Sequence, residues 1–366
     1  KNAIQLYVGY GVLCGLSTGI LLNTTMTAVV SWFKNRTGFI SGLLLMGEGI
    51  GSFIIGKTFQ EICIINEYSW RHAFKTFGIV FTIILILASF FIYVNSDKTA
   101  LSKKEIPNLF KYKLERAFDY KPLDESKAER GVIGIPRVLN MYEDYPFWHT
   151  FFTALGFKVV LSERSSKKLY EKGIDSISSE TVCYPGKMVH GHIQSLIDRG
   201  IKTIFYPAVV NEYKEDKSAD NNYNCPVVIS YSEVIKNNLE DIRRKNIKYL
   251  NPFLSLNDKE RLKKRLYEVF KEEFKDISKK EIIEAVNKAT AEEQSFKAEI
   301  RKAGEDALKI IKEKNLKAIV LAGRPYHLDP EINHGIPELI NSLDMAVLTE
   351  DSICHLVDMK RPLRVV

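Results

Sequence analysis

The 366-residue sequence has few cysteines, and its first quarter carries few charges. The five cysteines are Cys14, Cys63, Cys183, Cys225 and Cys354. Their wide spacing excludes a disulfide framework, so we expect a reducing cytosol for those outside the apolar segment. Glycine-rich strand-to-helix turns that cradle phosphates are also absent between Gly131 and Val366, so we do not expect ATP hydrolysis by this chain.

The net charge of +7 comes from 52 basic and 45 acidic residues. Most of them follow residue 95, where the two signs are interspersed along predicted helices. Such mixing is typical of a solvated surface and not of a nucleic-acid footprint. We therefore expect no nucleic-acid partner.

Three apolar stretches, at 5–32, 38–59 and 74–94, dominate the beginning of the chain. A bilayer core about 30 Å thick requires about 20 mostly apolar residues per helix. The sequence therefore predicts three transmembrane helices within residues 1–95, in contact with a lipid bilayer, and places residues 96–366 in the cytoplasm. The alternative is a set of buried helices in a soluble domain. The chain begins at Lys1 within an apolar pattern, so we expect that its N-terminus is cut.

Four short motifs in this segment carry a family resemblance. They are Gly9-Tyr10-Gly11, Ser31-Trp32-Phe33, Asn35-Arg36-Thr37-Gly38 and Trp70-Arg71. Their order resembles helices four to six of major facilitator transporters, especially the oxalate/formate and monocarboxylate branch. Such transporters bind substrate between two halves of the protein. Three helices cannot build that cavity, so the resemblance implies a non-functional transporter fragment; the alternative is a transporter of small organic anions with a cytosolic regulatory domain.

A polar segment at 96–130 is predicted to be a linker, and an alternating pattern follows it. Predicted strands lie at 132–136, 158–161, 203–206, 227–230, 318–321 and 346–348. Predicted helices lie at 145–154, 185–198, 231–238 and 337–342. Strands that alternate with helices favour a parallel sheet covered by helices. The whole chain is therefore predicted to be of mixed class: three transmembrane α-helices, then an α/β Rossmann-like domain at 131–366, with a helical insertion at about 256–316 and a truncated C-terminal end.

Cys183 and Cys225 are the candidate metal-binding residues. Pro185 favours the first turn of a helix, which leaves Cys183 just before the helix's amino end. The unpaired amides there favour a thiolate, the form that a metal or an iron–sulfur cluster needs. Cys225 is predicted to lie on a loop beside the strand at 227–230. Taken by themselves, two isolated cysteines are more typical of ordinary free thiols.

Arg324, His327 and His334 are the candidate cofactor-binding residues. They lie on a polar loop that follows the predicted strand at 318–321. Open α/β sheets bind ligands beyond the carboxyl ends of their strands. Arg324 can hold a phosphate or carboxylate there, and the two histidines can hydrogen-bond nearby. The alternative is that these residues fix the shape of the loop.

A second resemblance covers about 107–366. Its motifs lie at 130–143, 145–148, 181–185, 223–226, 322–327, 333–337 and 348–353. They resemble the C-terminal region of the large acyl-CoA dehydratase activases, and the region is similar to the cluster-carrying subunits of 2-hydroxyacyl-CoA dehydratases. The resemblance implies a redox accessory role, in which an ATPase module elsewhere drives an electron through a [4Fe-4S] cluster towards an acyl-CoA dehydratase. It also implies that Cys183 and Cys225 are cluster ligands, with the family's next cysteine beyond Val366.

Overall fold

The computed structural model describes residues 12, 15–32, 37–61, 70–89, 106–215 and 221–357. The chain divides into two compact units, Lys1–Thr99 and Ala100–Val366. Cys14 and Cys63 lie outside the described residues, as does the C-terminal end after residue 357.

The described part of the first unit is helical. Its helices are α1 (Gly15–Trp32), α2 (Thr37–Gln60) and α3 (Trp70–Ser89). Among the described residues, no helix combines the length and the apolar character needed to cross a bilayer. The prediction of three transmembrane helices in residues 1–95 is therefore wrong.

Each of the three helices carries polar residues. Helix α1 has 18 residues and includes Thr24, whose hydroxyl donates to the Ile20 carbonyl at 2.7 Å. Helix α2 includes Lys57, and helix α3 includes Lys75. These polar groups lower the mean apolar character of each helix, which a length criterion alone does not register.

The second unit is an α/β domain. Its strands are β1 (Val132–Ile135), β2 (Lys158–Leu161), β3 (Thr203–Phe205), β4 (Ala208–Asn211), β5 (Lys248–Leu250), β6 (Phe253–Ser255), β7 (Lys317–Leu321) and β8 (Met345–Thr349). Its helices are α4 (Leu109–Phe118), α5 (Met141–Ala154), α6 (Lys167–Gly173), α7 (Tyr184–Asp198), α8 (Pro226–Asn238), α9 (Glu240–Arg244), α10 (Lys259–Glu273), α11 (Lys279–Glu313), α12 (Pro330–Asn333), α13 (Ile336–Ser342) and α14 (Glu350–Ile353).

The main sheet is parallel, with the strand order β2-β1-β3-β5, and two further parallel pairs, β4-β6 and β7-β8, accompany it. The pair β4-β6 continues β3-β5 after a break at Pro207 and Pro252. Tyr206 N donates to Leu250 O before the break, and Ala208 N donates to Pro252 O after it, both at 2.9 Å. Because proline has no N–H, it interrupts a ladder of hydrogen bonds that otherwise keeps its pairing.

Helix α5 forms the centre of the core. Trp148 and Phe152 pack on Phe205 of β3, with ring centroids 4.7 and 4.8 Å apart. Phe151 packs on Phe270 of α10 at 5.6 Å. All five rings are buried. Helix α5 therefore joins the main sheet to the helical insertion through aromatic contacts.

The predicted helical insertion consists of two helices, α10 and α11, whose apolar residues recur at intervals of three and four positions; the sequence had indicated two or three. Asp258 caps α10, and Ser278 with Glu281 forms a capping box at the start of α11. Charged residues therefore mark both helix starts within a strongly polar stretch.

One predicted strand is wrong. Residues 227–230 belong to helix α8, because Pro226 occupies the first helical turn and fixes its dihedral angle for a helix. The β-branched run after it had favoured a strand. The other predicted strands are confirmed. The elements that were not predicted are β4, β5, β6, α4, α6, α9, α12 and α14, and α4 lies within the predicted linker.

Candidate functional site

Cys183 and Cys225 occupy equivalent positions at the starts of two successive long helices. Cys183 caps α7 with φ −59° and ψ 148°, and Cys225 caps α8 with φ −65° and ψ 151°. A proline lies in the first turn of each helix. The predicted place of Cys183 before a helix is confirmed, whereas Cys225 begins a helix and does not flank a strand. Both thiols therefore lie at the amino ends of helices, where the helix dipole is positive.

The two helix starts are in contact. A Cβ atom added to Gly186 of α7 would lie 3.1 Å from Val227 Cγ1 of α8 and 3.5 Å from Cys183 Sγ. Burial raises the pKa of Tyr326, and the nearby Cys225 and Cys183 raise it further. Both thiols thus lie within electrostatic range of one phenol. Cys183 is exposed and Cys225 is partly buried.

A chain of hydrogen-bonded polar groups lies near Cys183. Tyr231 Oη lies 3.1 Å from His190 Nε2, and His190 Nδ1 lies 2.7 Å from Ser176 Oγ. Burial lowers the pKa of His190 to about 4. Burial and then Cys183 raise the pKa of Tyr231 to about 12. At neutral pH, uncharged hydrogen-bonding groups therefore lie behind Cys183.

A cavity of about 710 Å³ opens beside Cys225. We call it the thiol cavity; its lining includes Asn140, Asp144, Glu212, Asn224, Cys225, Arg324 and Tyr326. It lies where the connections after β1 and β4 meet the loop after β7, beyond the carboxyl ends of these strands. Ligands of open α/β sheets bind at such edges.

Two carboxyl groups of the thiol cavity share one amide. Asn140 Nδ2 donates to Asp144 Oδ2 at 2.8 Å and to Glu212 Oε1 at 3.2 Å, and Asn224 Nδ2 donates to Glu212 Oε1 at 2.6 Å. Burial raises the pKa of Glu212 to about 7, and burial with the adjacent Glu212 raises the pKa of Asp144 well above its usual range. The pair therefore holds a proton near neutral pH.

Arg324 lines the thiol cavity, whereas the two histidines predicted with it do different things. His327 Nδ1 accepts from Arg324 N at 3.0 Å, and Asn333 Nδ2 donates to His327 O at 3.0 Å. His334 is exposed and has a left-handed backbone, with φ 53°. His327 therefore shapes the loop, whereas Arg324 has an exposed side chain at the cavity.

His190 and His192 contact different partners, although both lie on α7. His192 lies between Ser162 and Ser165, at 2.8 and 3.0 Å. Within the described residues, no group of three or more His, Cys, Asp or Glu side chains is arranged to hold a metal ion. The cysteine pair thus offers two thiols, which is half of the four that a cubane cluster requires.

Sequence reasoning missed Asp144, Glu212 and Tyr326. Tyr326 lies within a quoted motif, and Asp144 lies between two of them, but no spacing linked either residue to the cysteines. Glu212 follows the apolar strand β4, and an acid at the end of a buried strand was the available signal.

Parallel strands covered by helices, with polar and thiol side chains beyond their carboxyl ends, define an α/β ligand-binding domain. The family described as the CoA enzyme activase uncharacterised domain matches residues 132–353, which is more than half of the chain. The chain therefore belongs to this family, and the resemblance to CoA-enzyme activases is confirmed. No solved structure matches the chain significantly.

The N-terminal part has a different similarity. The Major Facilitator Superfamily matches residues 2–162, so that residues 132–162, which form β1, α5 and β2, fall in both matches. Monocarboxylate transporter 12 of Rattus norvegicus is 34% identical over 74 residues, 20% of this chain and 15% of that protein. Monocarboxylate transporter 9 of Gallus gallus is 36% identical over 61 residues, 17% of this chain and 12% of that protein.

These matches confirm the resemblance to monocarboxylate transporters. The chain spans only 12 to 15% of the length of these two curated relatives. The similarity therefore describes one segment of a transporter and does not extend to a whole one.

Proposed function

We propose that the α/β unit is a redox accessory domain of a CoA enzyme activase, in which Cys183 and Cys225 bind one side of a [4Fe-4S] cluster. The observation that carries the proposal is the pair of cysteines at two abutting helix starts with nearly equal backbone angles. Family membership supports the activase role. An acyl-CoA dehydratase is the proposed electron acceptor, and a separate ATPase module is the proposed source of driving force.

The chemistry of the two thiols fits such a group in part. Iron–sulfur clusters are held by cysteine thiolates, and both sulfurs lie at helix starts. A bound cluster would accept and release one electron. The remaining ligands would come from outside the described residues or from another polypeptide. Tyr326 lies within electrostatic range of both thiols.

The test is iron and sulfide analysis of the full chain after anaerobic reconstitution. A small-molecule thiol is included, because it can fill ligand positions that the chain does not supply. We expect iron and sulfide to bind the wild type, and to fall to background in the Cys183→Ser/Cys225→Ser double variant. Cys354 also lines the thiol cavity, so Cys354→Ser asks whether a third thiol contributes. Ser342→Ala, at an exposed position on α13 away from the cavity, is the control. Retention of iron in the double variant, or its absence from the wild type, contradicts the proposal.

We also propose that the N-terminal unit associates the chain with a membrane. The similarity to transporters supports this, and so do the exposed apolar side chains of α3, where Ile79, Ile83 and Leu87 are 64%, 53% and 57% exposed. The full-length chain is expected to sediment with membranes on cell fractionation. Complete recovery in the supernatant contradicts this part of the proposal.

Transport of small organic anions is the second candidate function. The similarity of the N-terminal part to monocarboxylate transporters favours it. Uptake of an organic anion by vesicles that contain the purified chain, compared with empty vesicles, tests it. Uptake above the empty-vesicle rate supports transport, and an equal rate excludes it.

A further inference from the structure

A second cavity lies at the carboxyl ends of β1 and β2. Its volume is about 720 Å³. We call it the arginine pocket; its lining is Tyr112, Leu114, Glu115, Arg116, Phe118, Asp119, Arg137, Tyr142, Arg164, Ser165, Asp329 and Pro330. It shares no lining residue with the thiol cavity. Arg137 follows β1 and Arg164 follows β2. Because these strands are adjacent and parallel, both arginines lie at the same edge of the sheet and line one pocket.

Neither Arg137 nor Arg164 has an ion-pair partner among the described residues. Arg137 Nε donates to the Ser162 carbonyl at 3.2 Å, and the guanidinium lies 4.7 Å from the ring centre of Phe118. Burial lowers the pKa of Arg137, and the nearby Arg164 lowers it further. Two guanidinium groups thus line one cavity without an ion pair among the described residues, although the nearby Asp329 partly favours the charge of Arg137.

The other charged groups of the pocket are already engaged or lie at its rim. Arg116 forms ion pairs with Glu292 at 2.9 Å and Glu299 at 2.6 Å. Glu115 lies 4.0 Å from Lys111, and Asp119 is exposed. None of these groups neutralises Arg137 or Arg164.

Asp329 is the remaining acid of the pocket, and its carboxylate accepts hydrogen bonds from two hydroxyl groups. Tyr142 Oη donates to Asp329 Oδ2 at 2.6 Å, and Ser165 Oγ donates to the same oxygen. Glu331 N donates to the other oxygen, Asp329 Oδ1, at 3.0 Å. Burial raises the pKa of Asp329. Its carboxylate is therefore hydrogen-bonded to the pocket wall, and it forms no ion pair with Arg137 or Arg164 among the described residues.

A directed chain of hydrogen bonds holds this wall. Arg137 N donates to Ser162 Oγ at 2.9 Å, and Ser162 lies 2.8 Å from His192 Nδ1. His192 Nε2 lies 3.0 Å from Ser165 Oγ, which donates to Asp329. Burial lowers the pKa of His192 to about 3, so the ring is neutral and has one N–H. Every member is satisfied when Nε2 donates to Ser165 and Nδ1 accepts from Ser162.

We propose that the arginine pocket binds the phosphate group of a small phosphorylated molecule. Two guanidinium groups match the charge of a phosphate dianion and offer the planar donors that phosphate oxygens accept. Phe118, Leu114 and Tyr112 supply an apolar wall against which an organic substituent packs. Because the arginine pocket shares no residue with the cysteine pair, phosphate binding can be tested whether or not the proposed cluster binds.

The experiment is calorimetric titration of the full chain with inorganic phosphate, phenyl phosphate and benzoate. We expect both phosphates to bind more tightly than benzoate, and Arg164→Gln to weaken phosphate binding at least about tenfold through loss of a charge-assisted contact. Arg137→Gln is expected to do the same. Arg243→Gln removes one charge from an exposed position on α9 and is expected to leave binding unchanged.

Arg164 is exposed, so its substitution tests the site even if Arg137→Gln does not fold. Tighter binding of phenyl phosphate than of inorganic phosphate supports a phosphorylated organic ligand. Equal affinity for the two indicates that the pocket binds inorganic phosphate itself. Phosphate binding that survives Arg164→Gln unchanged overturns the proposal, as does benzoate binding as tightly as phenyl phosphate.

Discussion

The thiol cavity and the arginine pocket both lie beyond the carboxyl ends of strands of the same α/β unit. They differ in whether their charged side chains can become neutral near neutral pH. In the thiol cavity, Asp144 and Glu212 have raised pKa values and can take up a proton. In the arginine pocket, burial also disfavours the charge of Arg137, but a guanidinium cannot give up its proton near neutral pH. The carboxyl groups of the thiol cavity can therefore lose their charge near neutral pH, whereas the guanidinium groups of the arginine pocket keep theirs.

Helix α7 connects the two regions. Cys183 caps its start, and His192, nine residues later, belongs to the hydrogen-bond chain of the arginine pocket. Each site thus depends on the same helix through different side chains.

The largest expected effect comes from Gly191→Ala. A Cβ atom at Gly191 would lie 2.0 Å from the Leu169 carbonyl oxygen of α6, so α7 would have to move away from α6. We expect the free energy of unfolding to fall by about 3 kcal/mol. Urea denaturation followed by circular dichroism measures this.

Gly49→Ala is the matched control, because nothing lies within 4 Å of a Cβ atom at this helical glycine. It is expected to be neutral or slightly stabilising. A similar loss of stability in both variants would show that contact with α6 is not the cause.

The next effect concerns the carboxyl pair. The pKa of Glu212 is about 7 in the folded chain, above the unfolded value, so stability falls as pH rises from about 4.3 to 7 and stays lower above that. Glu212→Gln removes this penalty, and we expect it to raise the free energy of unfolding at pH 8 by about 2 kcal/mol while changing it little at pH 4. Denaturation at a series of pH values tests this, and an unchanged pH profile would contradict it.

His192→Asn tests the wall of the arginine pocket. The pKa of His192 is about 3 when folded, below the unfolded value, so its contribution is complete above about pH 6.5 and declines as pH falls towards 3. We expect the substitution to cost about 1 kcal/mol at pH 7.5 through a lost hydrogen bond, and less at pH 5. A cost that does not depend on pH would mean that the ring is not held neutral.

The smallest effect is expected from Arg164→Gln in buffer free of phosphate. Removal of a like charge near Arg137 relieves repulsion, so the free energy of unfolding should rise by about 0.3 kcal/mol. The same variant in phosphate buffer should lose the stabilisation that the anion gives the wild type. Destabilisation of the variant in the phosphate-free buffer would show that Arg164 has an attractive partner.

The sequence predicted much of the α/β unit because its signals there are local. Alternating β-branched runs located β1, β2, β3, β7 and β8, and apolar spacing located α10 and α11. Pro226 followed by a β-branched run gave conflicting local signals, and the helix start prevailed. Strands β4 and β6 are short and follow prolines, so they lacked a readable period.

The candidate site was partly predictable. Cys183 and Pro185 gave the helix start from local chemistry alone. The meeting of Asp144 with Glu212, and of Arg137 with Arg164, depends on which strands pair, because each partner follows a different strand. In the first unit, the length of the apolar stretches predicted spanning helices, but no helix among the described residues is long and apolar enough to cross a bilayer.

Anaerobic titration with Cd²⁺ tests most directly whether the two helix-start thiols form one ligand site, because soft thiolates prefer soft metals and their bonds absorb in the ultraviolet. We predict that one ion binds through both sulfurs, so that Cys183→Ser and Cys225→Ser each abolish most of the absorbance, while Cys354→Ser leaves it intact. Partial losses that add up independently across the three single variants would show separate thiols and contradict the account.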